Sequence, residues 1–219
     1  MKKVIAIDGP AGAGKSTVAK KVAQILNFKY LDTGALYRAV AYHFFKKLGN
    51  IETLTEEDVK KELKILKIYY EDSKVFLFNE DVSYKIRDPK VGVITSLIAA
   101  KKSVRDFLLP LQREFAEKYD TVAEGRDTTT VVFPDAWRKF YLDASEQVRA
   151  QRRYEQLKSM EKNITFSEAF HDILTRDRID SSRENSPLLV SSEAIYIDTS
   201  NLSVEEVISK ILEKVAEIS

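Results

Sequence analysis

A glycine-rich segment near the start of the chain constrains its fold more than any other feature. Residues 9–16 read Gly-Pro-Ala-Gly-Ala-Gly-Lys-Ser, which matches the phosphate-loop pattern of glycine, four residues, glycine, lysine and serine. An apolar run over 4–7 precedes the segment, and apolar residues recur at helical spacing over 16–26. A buried strand, a glycine loop and a helix in this order are the context that a phosphate loop requires. The segment therefore predicts an α/β fold that binds phosphate.

The residue types of this loop suit a nucleoside triphosphate. Glycines let backbone N–H groups wrap the phosphates at a helix N-terminus, where anions are already favoured. Lys15 can reach the β- and γ-phosphates, and the Ser16 hydroxyl is a candidate ligand for Mg²⁺. The predicted ATP-binding residues are Gly9, Pro10, Ala11, Gly12, Ala13, Gly14, Lys15, Ser16 and Thr17. A second interpretation, a plain turn of small residues between a strand and a helix, leaves the completeness of the pattern unexplained.

The rest of the chain alternates between short apolar runs and longer segments with helical periodicity. Further strands are predicted over 28–31, 121–123, 140–142 and 194–197, and helices over 35–48, 55–66, 91–100, 104–119, 145–159, 165–182 and after 203. A break falls at Lys162-Asn163, and three short runs over 67–71, 75–78 and 82–86 predict an antiparallel meander. This order predicts a three-layer sandwich of the P-loop NTPase type, with a mostly parallel central sheet, a small β-containing insert and ligands beyond the carboxyl ends of the strands.

Composition excludes several classes of function. The formal net charge of +1 argues against a nucleic-acid-binding protein, which usually carries a strong basic excess. The chain contains no cysteine, so disulfides and thiolate metal sites are excluded. No signal-peptide apolar region and no run of roughly 20 apolar residues is visible, so we expect a cytoplasmic protein that does not enter membranes. We also expect a monomer.

Arginines concentrate in one part of the sequence. Six of the twelve lie between Arg149 and Arg183. Arg149, Arg152 and Arg153 share one helical face by their spacing, as do Arg176 and Arg183. The planar guanidinium binds phosphate oxygens bidentately, so this region is a candidate for phosphate contact. The other interpretation is a solvated, salt-bridged helix surface, which is common and stabilises little.

Two further motifs follow predicted strands. Residues 31–38 read Leu-Asp-Thr-Gly-Ala-Leu-Tyr-Arg, which places a hydroxyl and an arginine just after the second strand. Residues 124–127 read Glu-Gly-Arg-Asp and follow the next strand. Each motif is also compatible with a simple turn at the end of a strand. The loop by itself leaves GTPases and transport ATPases open, but the chain has no Asn-Lys-x-Asp, Asp-x-x-Gly switch or Leu-Ser-Gly-Gly-Gln signature.

Together these motifs resemble the bacterial cytidylate kinase family over essentially the full chain. The resemblance rests on the segments 7–16, 31–38 and 124–127, and on Val-Val-Phe-Pro-Asp-Ala at 131–136, Leu-Asp-Ala-Ser at 142–145 and Arg-Arg-Tyr at 152–154. Arg-Asp at 176–177, Asp180, Arg183 and Pro187-Leu188 add to it. It implies Mg²⁺-dependent transfer of the ATP γ-phosphoryl group to CMP or dCMP. The resemblance also implies a core (1–34, 120–148, 184–219), a nucleoside-monophosphate-binding region with a β insert (35–119) and a lid (149–183).

The resemblance assigns roles by position. Lys15, Arg152 and Arg176 are the implied catalytic residues, and Ser16 the implied metal ligand. The implied substrate-binding residues are Thr33, Arg38, Ser96, Arg105, Arg126, Asp127, Asp180 and Arg183. Arg38, Arg126 and Arg183 would contact the acceptor phosphate, while Ser96, Arg105 and Asp127 would read cytosine and Asp180 the sugar.

Two positions depart from the family pattern. Thr129 stands where the family usually has glycine, and Thr33 replaces the more usual serine. Two other functions stay open at this point. One is a kinase for a different nucleoside monophosphate, such as UMP or AMP. The other is a regulatory or RNA-associated P-loop NTPase, which would hydrolyse its nucleotide without an acceptor.

Overall fold

A five-stranded parallel sheet forms the centre of the protein. The computed structural model describes residues 2–49, 53–161 and 163–217. The strands in these ranges are, in chain order, β1 (Val4–Asp8), β2 (Lys29–Asp32), β3 (Ile68–Glu71), β4 (Lys74–Leu77), β5 (Glu80–Asp81), β6 (Thr121–Glu124), β7 (Arg138–Asp143) and β8 (Ile195–Asp198). The helices are α1 (Lys15–Leu26), α2 (Thr33–Leu48), α3 (Glu56–Leu63), α4 (Pro89–Ala99), α5 (Lys102–Lys118), α6 (Glu146–Ser159), α7 (Phe166–Ser182) and α8 (Val204–Ala216).

The sheet order is β2-β6-β1-β7-β8, and every neighbouring pair is parallel. The register places Asp32 opposite Glu124 and Asp143 opposite Asp198, so the carboxyl ends of the strands form one edge. Burial on both faces explains why the strands read as continuous apolar runs, because helices cover a parallel sheet on each side. The predicted α/β three-layer architecture is therefore confirmed.

Separate apolar clusters hold the helices in place. Helices α1 and α8 pack on one face of the sheet around Ile5, Phe140 and Ile211, all fully buried. On the other face, Leu31 and Ala123 pack with a smaller group of residues that includes part of α5. Helices α2 to α5 and the small β3-β4-β5 sheet enclose a third cluster of their own. That cluster forms beside the sheet edge at which the strands end.

Most predicted elements are confirmed, with ends displaced by a few residues. Capping boxes begin α3 at Thr55, α7 at Thr165 and α8 at Ser203. Helix α2 begins earlier than predicted, because the Asp32 carboxylate accepts a hydrogen bond from Ala35 N at 2.8 Å and caps the helix. Helix α3 ends at Leu63 instead of 66. Of the predicted break at 162–163, Lys162 lies outside the described residues.

The predicted strand over 82–86 is wrong. Ile86 N donates to Val82 O at 3.0 Å, and a 3₁₀ turn, Lys85–Arg87, follows. The alternation of apolar residues suggested a strand, but Tyr84 is 86% exposed, while Val82 and Ile86 are buried four residues apart. This spacing belongs to a helical turn. The third strand of the meander is instead the two-residue β5, which lies between the predicted runs over 75–78 and 82–86.

Two helices, α6 and α7, pack together, and α7 also contacts α4 across the strand ends. A π-helical turn, Thr128–Val132, which the sequence analysis did not anticipate, follows β6. Among the described helices, none combines the length and the apolar character needed to cross a bilayer. The elements that converge on the carboxyl edge of the sheet are therefore its own strand ends, α2, α4, α5, α6 and α7.

Candidate active site

A cleft of about 760 Å³ opens at the carboxyl edge of the sheet. It brings together residues that lie far apart in the sequence. The predicted site residues that line it are Ala11, Gly12, Ala13, Gly14, Lys15, Ser16, Thr17, Thr33, Arg38, Ser96, Arg105, Arg126, Asp127, Arg152, Arg176, Asp180 and Arg183. Gly9 and Pro10 do not line it, although both were predicted in the same group; they support the loop from behind.

Gly9 begins the phosphate loop at a point where no side chain fits. Its φ of +148° is unfavourable for other residues, and a Cβ there would lie 1.9 Å from the carbonyl oxygen of Leu142. Pro10 contributes its carbonyl oxygen, which accepts a hydrogen bond from Lys15 Nζ at 2.7 Å. The loop is therefore held against β7 and leads directly into the N-terminus of α1.

Lys15 is buried, and its surroundings weaken its proton affinity. Burial first, and then the nearby Arg126 guanidinium, lower the pKa of the Lys15 ammonium to about 7. Glu124 and Asp8 act in the opposite direction. A polyanion bound beside this lysine would restore its charge, because phosphate oxygens favour the protonated form.

An acid at the end of β6 lies beside the metal-ligand candidate. The Ser16 hydroxyl donates to the Glu124 carboxylate, as does the Tyr30 hydroxyl at 2.8 Å. Burial and the negative charge of Asp32 raise the pKa of Glu124, and Lys15 opposes them. Glu124 is not among the site residues predicted from the sequence. Glu124 is the last residue of β6, the strand that pairs with β1 just before the phosphate loop. An acid at the carboxyl end of a predicted strand was the signal that could have identified it.

Thr33 and Gly125 join β2 to β6 at the same edge. The Thr33 hydroxyl donates to the backbone carbonyl of Glu124 at 2.7 Å. A Cβ on Gly125 would lie 2.5 Å from Thr33 Oγ1, so the glycine is needed for this approach. The replacement of serine by threonine at position 33 therefore keeps the hydroxyl contact.

Guanidinium–carboxylate pairs form the side of the cleft opposite the loop. Arg105 pairs with Asp127, and Arg126 Nε donates to Asp180 at 3.0 Å. Arg183 lies between the two carboxylates, 3.9 Å from Asp127 and 3.8 Å from Asp180. Burial opposes ionisation of Asp180, but Arg126 and Arg183 outweigh it and lower its pKa. For Asp127 burial outweighs Arg105 and Arg183, and the pKa is raised.

Further cations crowd the middle of the cleft. Burial, followed by repulsion from Arg176 and Arg153, lowers the pKa of Arg38 to about 9. Burial and Arg126 likewise lower the pKa of Arg176. Three guanidinium nitrogens here have no hydrogen-bond partner within the described residues: Arg153 Nη2, Arg176 Nε and Arg183 Nη2. Unpaired buried donors of one sign indicate a binding site for an anion.

Four of the six arginines in this region are buried, so the solvated part of that interpretation is wrong for them, while its ion pairs are present at Arg149 and Arg153. Arg149, Arg153, Arg176 and Arg183 are each 6–8% exposed. Arg149 Nη1 donates to the Ala11 carbonyl at 3.0 Å and pairs with Asp177.

Helices α6 and α7 hold the phosphate loop at Ala11. Asp177 accepts a hydrogen bond from the backbone N–H of Ala11 at 3.0 Å, so α6 and α7 hold both polar groups of this residue. Arg152 donates to Thr199 Oγ1 at 2.9 Å and to Thr199 O at 2.8 Å, which places it beside the loop after β8.

The remaining predicted residue, Ser96, is buried on α4 and lines the cleft.

Thr129 does not line the cleft. Instead its backbone N–H and hydroxyl both donate to Asp8, at 2.7 and 2.6 Å. The threonine that departs from the family pattern thus has a polar partner in the core.

Comparison with known proteins agrees with the geometry. The family model described as Cytidylate kinase matches residues 5–217. A cytidylate kinase of Thermodesulfovibrio yellowstonii is 63% identical over 220 residues, which cover 99% of this chain and 99% of that protein. A cytidylate kinase of Thermosipho melanesiensis is 45% identical over 213 residues, with coverage of 97% and 96%. The solved shikimate kinase of Acinetobacter baumannii has a TM-score of 0.52 at 15% identity, over 98% of this chain and 93% of that one, and this likeness concerns the fold alone.

Proposed function

This chain belongs to the cytidylate kinase family, and we propose that its cleft transfers the γ-phosphoryl group of ATP to CMP or dCMP, with ADP as the second product. The observation that carries the proposal is the set of buried guanidinium nitrogens without hydrogen-bond partners in a cleft that a phosphate loop also lines. A site that must hold a triphosphate and a monophosphate together has to neutralise two polyanions. Arginine does so with directed hydrogen bonds and keeps its charge.

The donor side is the phosphate loop. Backbone N–H groups over residues 14–17, at the N-terminus of α1, would surround the β- and γ-phosphates of ATP. Lys15 would contact the transferred phosphoryl group, because its ammonium group is buried beside the loop and is already fixed by Pro10. The negative charge of the bound phosphates would oppose the effects of burial and of Arg126 and so raise the pKa of Lys15.

The donors around Ser16 fit Mg²⁺. Hydroxyl and carboxylate oxygens are the ligands that this ion prefers, and it usually takes only one or two from the protein, with substrate phosphates and water completing its coordination. In the ranges 2–49, 53–161 and 163–217, no group of three or more His, Asp or Glu side chains could hold a metal ion without such help. Ser16 would be the direct ligand, with Glu124 orienting its hydroxyl. Bound Mg²⁺ would supply charge neutralisation between the β- and γ-phosphates.

The acceptor side is the arginine-rich wall of the cleft. We assign the CMP phosphate to Arg38, Arg126 and Arg183, which surround the central space. Cytosine offers acceptors at O2 and N3 and a donor at its amino group. Ser96, Arg105 and Asp127 would supply the matching donors and acceptors, and Asp180 would accept a hydrogen bond from the sugar.

Transfer requires the two substrates to be held in line and water to be excluded. Arg152 on α6 and Arg176 on α7 would neutralise charge that develops on the transferred group. The contacts of Arg149 and Asp177 with Ala11 support a closed position of these helices, in which the acceptor oxygen is the available nucleophile. The chain division into a core (1–34, 120–148, 184–219), an acceptor-binding region (35–119) and a lid (149–183) is part of this proposal.

An acceptor screen tests the function directly. Initial rates with ATP and Mg²⁺ would be measured for CMP, dCMP, UMP and AMP, with and without EDTA. We expect CMP and dCMP to give diphosphates at rates at least about tenfold above UMP and AMP, since discrimination by hydrogen bonds is worth that ratio or more. Faster turnover of UMP or AMP would contradict the assignment. ATP hydrolysis that CMP neither suppresses nor diverts to CDP would support the regulatory NTPase instead.

A further inference from the structure

Asp8 is a fully buried carboxylate at the carboxyl end of β1, immediately before the phosphate loop. It accepts four hydrogen bonds from two neighbouring threonines. Thr128 donates from its backbone N–H at 2.9 Å and from its hydroxyl at 2.6 Å, both to Oδ1. Thr129 donates to Oδ2 in the same two ways, at 2.7 and 2.6 Å. Both threonines are at most 1% exposed.

This arrangement caps the π-helical turn from a distant strand. The first N–H groups of a helical turn have no partner within the turn, and a carboxylate beside them is favoured. Asp127 begins the turn: its carbonyl accepts from Val131 N at 2.9 Å and from Val132 N at 3.1 Å. Its side chain does not cap the turn, because it points to Arg105 instead. Asp8 therefore supplies the cap that Asp127 does not.

The contact fixes where Asp127 lies. Thr128 and Thr129 follow Asp127 directly, so their attachment to Asp8 sets the start of the turn and the direction of the Asp127 side chain. The phosphate loop has separate supports in the hydrogen bonds from Lys15 to the Pro10 carbonyl and from Ala11 N–H to Asp177. Loosening the threonines should therefore displace the acceptor wall more than the donor loop.

We propose that Asp8, Thr128 and Thr129 are positioning residues that hold Asp127 in the orientation required to recognise the acceptor base. This inference rests on the function proposed above and extends it to residues that do not line the cleft. Because the threonine hydroxyls bond to a charged acceptor in a dry environment, each one has a large effect on the position of the turn.

Three consecutive threonines provide the test and its control. Thr129→Val and Thr128→Val each remove one hydroxyl with little change in volume, while Thr129→Ser keeps it. Thr130→Val makes the same change at a partly exposed residue outside the cleft. For each variant, kcat and KM would be measured for CMP and for ATP, together with the ratio of kcat/KM for CMP to that for UMP and the melting temperature.

The proposal predicts a selective effect on the acceptor. In both valine variants KM for CMP should rise on the order of tenfold, the ratio that one charge-assisted hydrogen bond supports. The CMP-to-UMP ratio should fall, KM for ATP should stay within about twofold, and Thr129→Ser and Thr130→Val should behave as wild type.

Four results would overturn this assignment: wild-type constants in the valine variants, an equal rise of KM for both substrates, a lower melting temperature without a kinetic change, or loss of folding in both. The last two would assign the hydroxyls to stability alone. A wild-type protein that does not phosphorylate CMP would instead refute the proposed function.

Discussion

The two sides of the cleft are built in different ways. The proposed donor side is one continuous segment, 11–17, whose positive charge comes from backbone amides and Lys15. The acceptor side takes its side chains from α2, α4, α5, the end of β6 and α7, and it consists largely of buried guanidinium–carboxylate pairs. A backbone cradle binds any phosphate chain, whereas paired side chains from separate elements can be matched to one base and one sugar. Under the proposed function, this difference assigns phosphate binding to the donor side and substrate selection to the acceptor side.

Energetics reinforce this contrast. A buried ion pair gains little net stability, because desolvation of both charges offsets their attraction, but removal of one partner is strongly destabilising. Asp127 and Asp180 share Arg183, so each pair depends on the others. The donor loop has no such dependence among its backbone groups. Substitutions on the acceptor side should therefore affect binding and stability together.

The largest expected effect tests the donor side. Lys15→Ala removes the cation beside the transferred phosphoryl group, and we expect kcat to fall about 100- to 1,000-fold, as for loss of one preorganised charge-stabilising donor. The fold should persist, as measured by an unchanged circular dichroism spectrum. Lys21→Ala, on the exposed face of the same helix, is the matched control and should keep full activity. Substantial turnover in Lys15→Ala would remove this residue from the chemical step.

A smaller and more selective effect is expected on the acceptor side. Arg183→Ala leaves Asp127 and Asp180 without one of their partners, and kcat/KM for CMP should fall about 30- to 100-fold, in keeping with truncation of a buried charge pair. KM for ATP should change little. Arg178→Ala, at an exposed position on the same helix, is the control. An effect confined to KM for ATP would assign Arg183 to ATP binding and contradict its place on the acceptor side.

The smallest expected effect is the uptake of a proton when ATP binds. Because the pKa of Lys15 is about 7 without phosphates, the lysine is partly neutral above that pH. ATP raises this pKa, so binding at about pH 8.5 should take up as much as one proton per ATP, and binding well below pH 7 should take up none at this group. Calorimetry in buffers of different ionisation enthalpy measures the uptake, and Lys15→Met should abolish it. A pH-independent uptake in wild type would contradict the lowered pKa.

The same pKa governs stability without ligand. Between about pH 7 and the ordinary value of 10.5, the unfolded chain binds the Lys15 proton more tightly than the folded one. The contribution of this group to the free energy of unfolding therefore rises with pH across that window. Lys15→Met should flatten this part of the pH dependence.

Local patterns predicted much of the fold. The phosphate loop, the helices that start near Thr55 and Thr165, and the apolar strands could be predicted because each depends on residues close together in sequence. The strand predicted over 82–86 was wrong for the same reason: alternation is a local signal, and only packing showed that Tyr84 points to solvent. The turn at Thr128–Val132 is too short to leave a periodic pattern in the sequence. Its cap comes from Asp8, 120 residues away, so no local signal marks its start.

The phosphate loop and α1 could be identified from the sequence because backbone geometry and glycine placement act over a few residues. The contacts and burial of the arginines depend on the tertiary structure. It buried Arg153, Arg176 and Arg183 with unpaired nitrogens, joined Arg149 and Asp177 to Ala11, and placed Glu124 against Ser16. Spacing on a helix gives the direction of a side chain but not its neighbours, and electrostatic effects depend on neighbours and burial. For that reason the site for phosphate was visible in the sequence, and its electrostatics only in the folded chain.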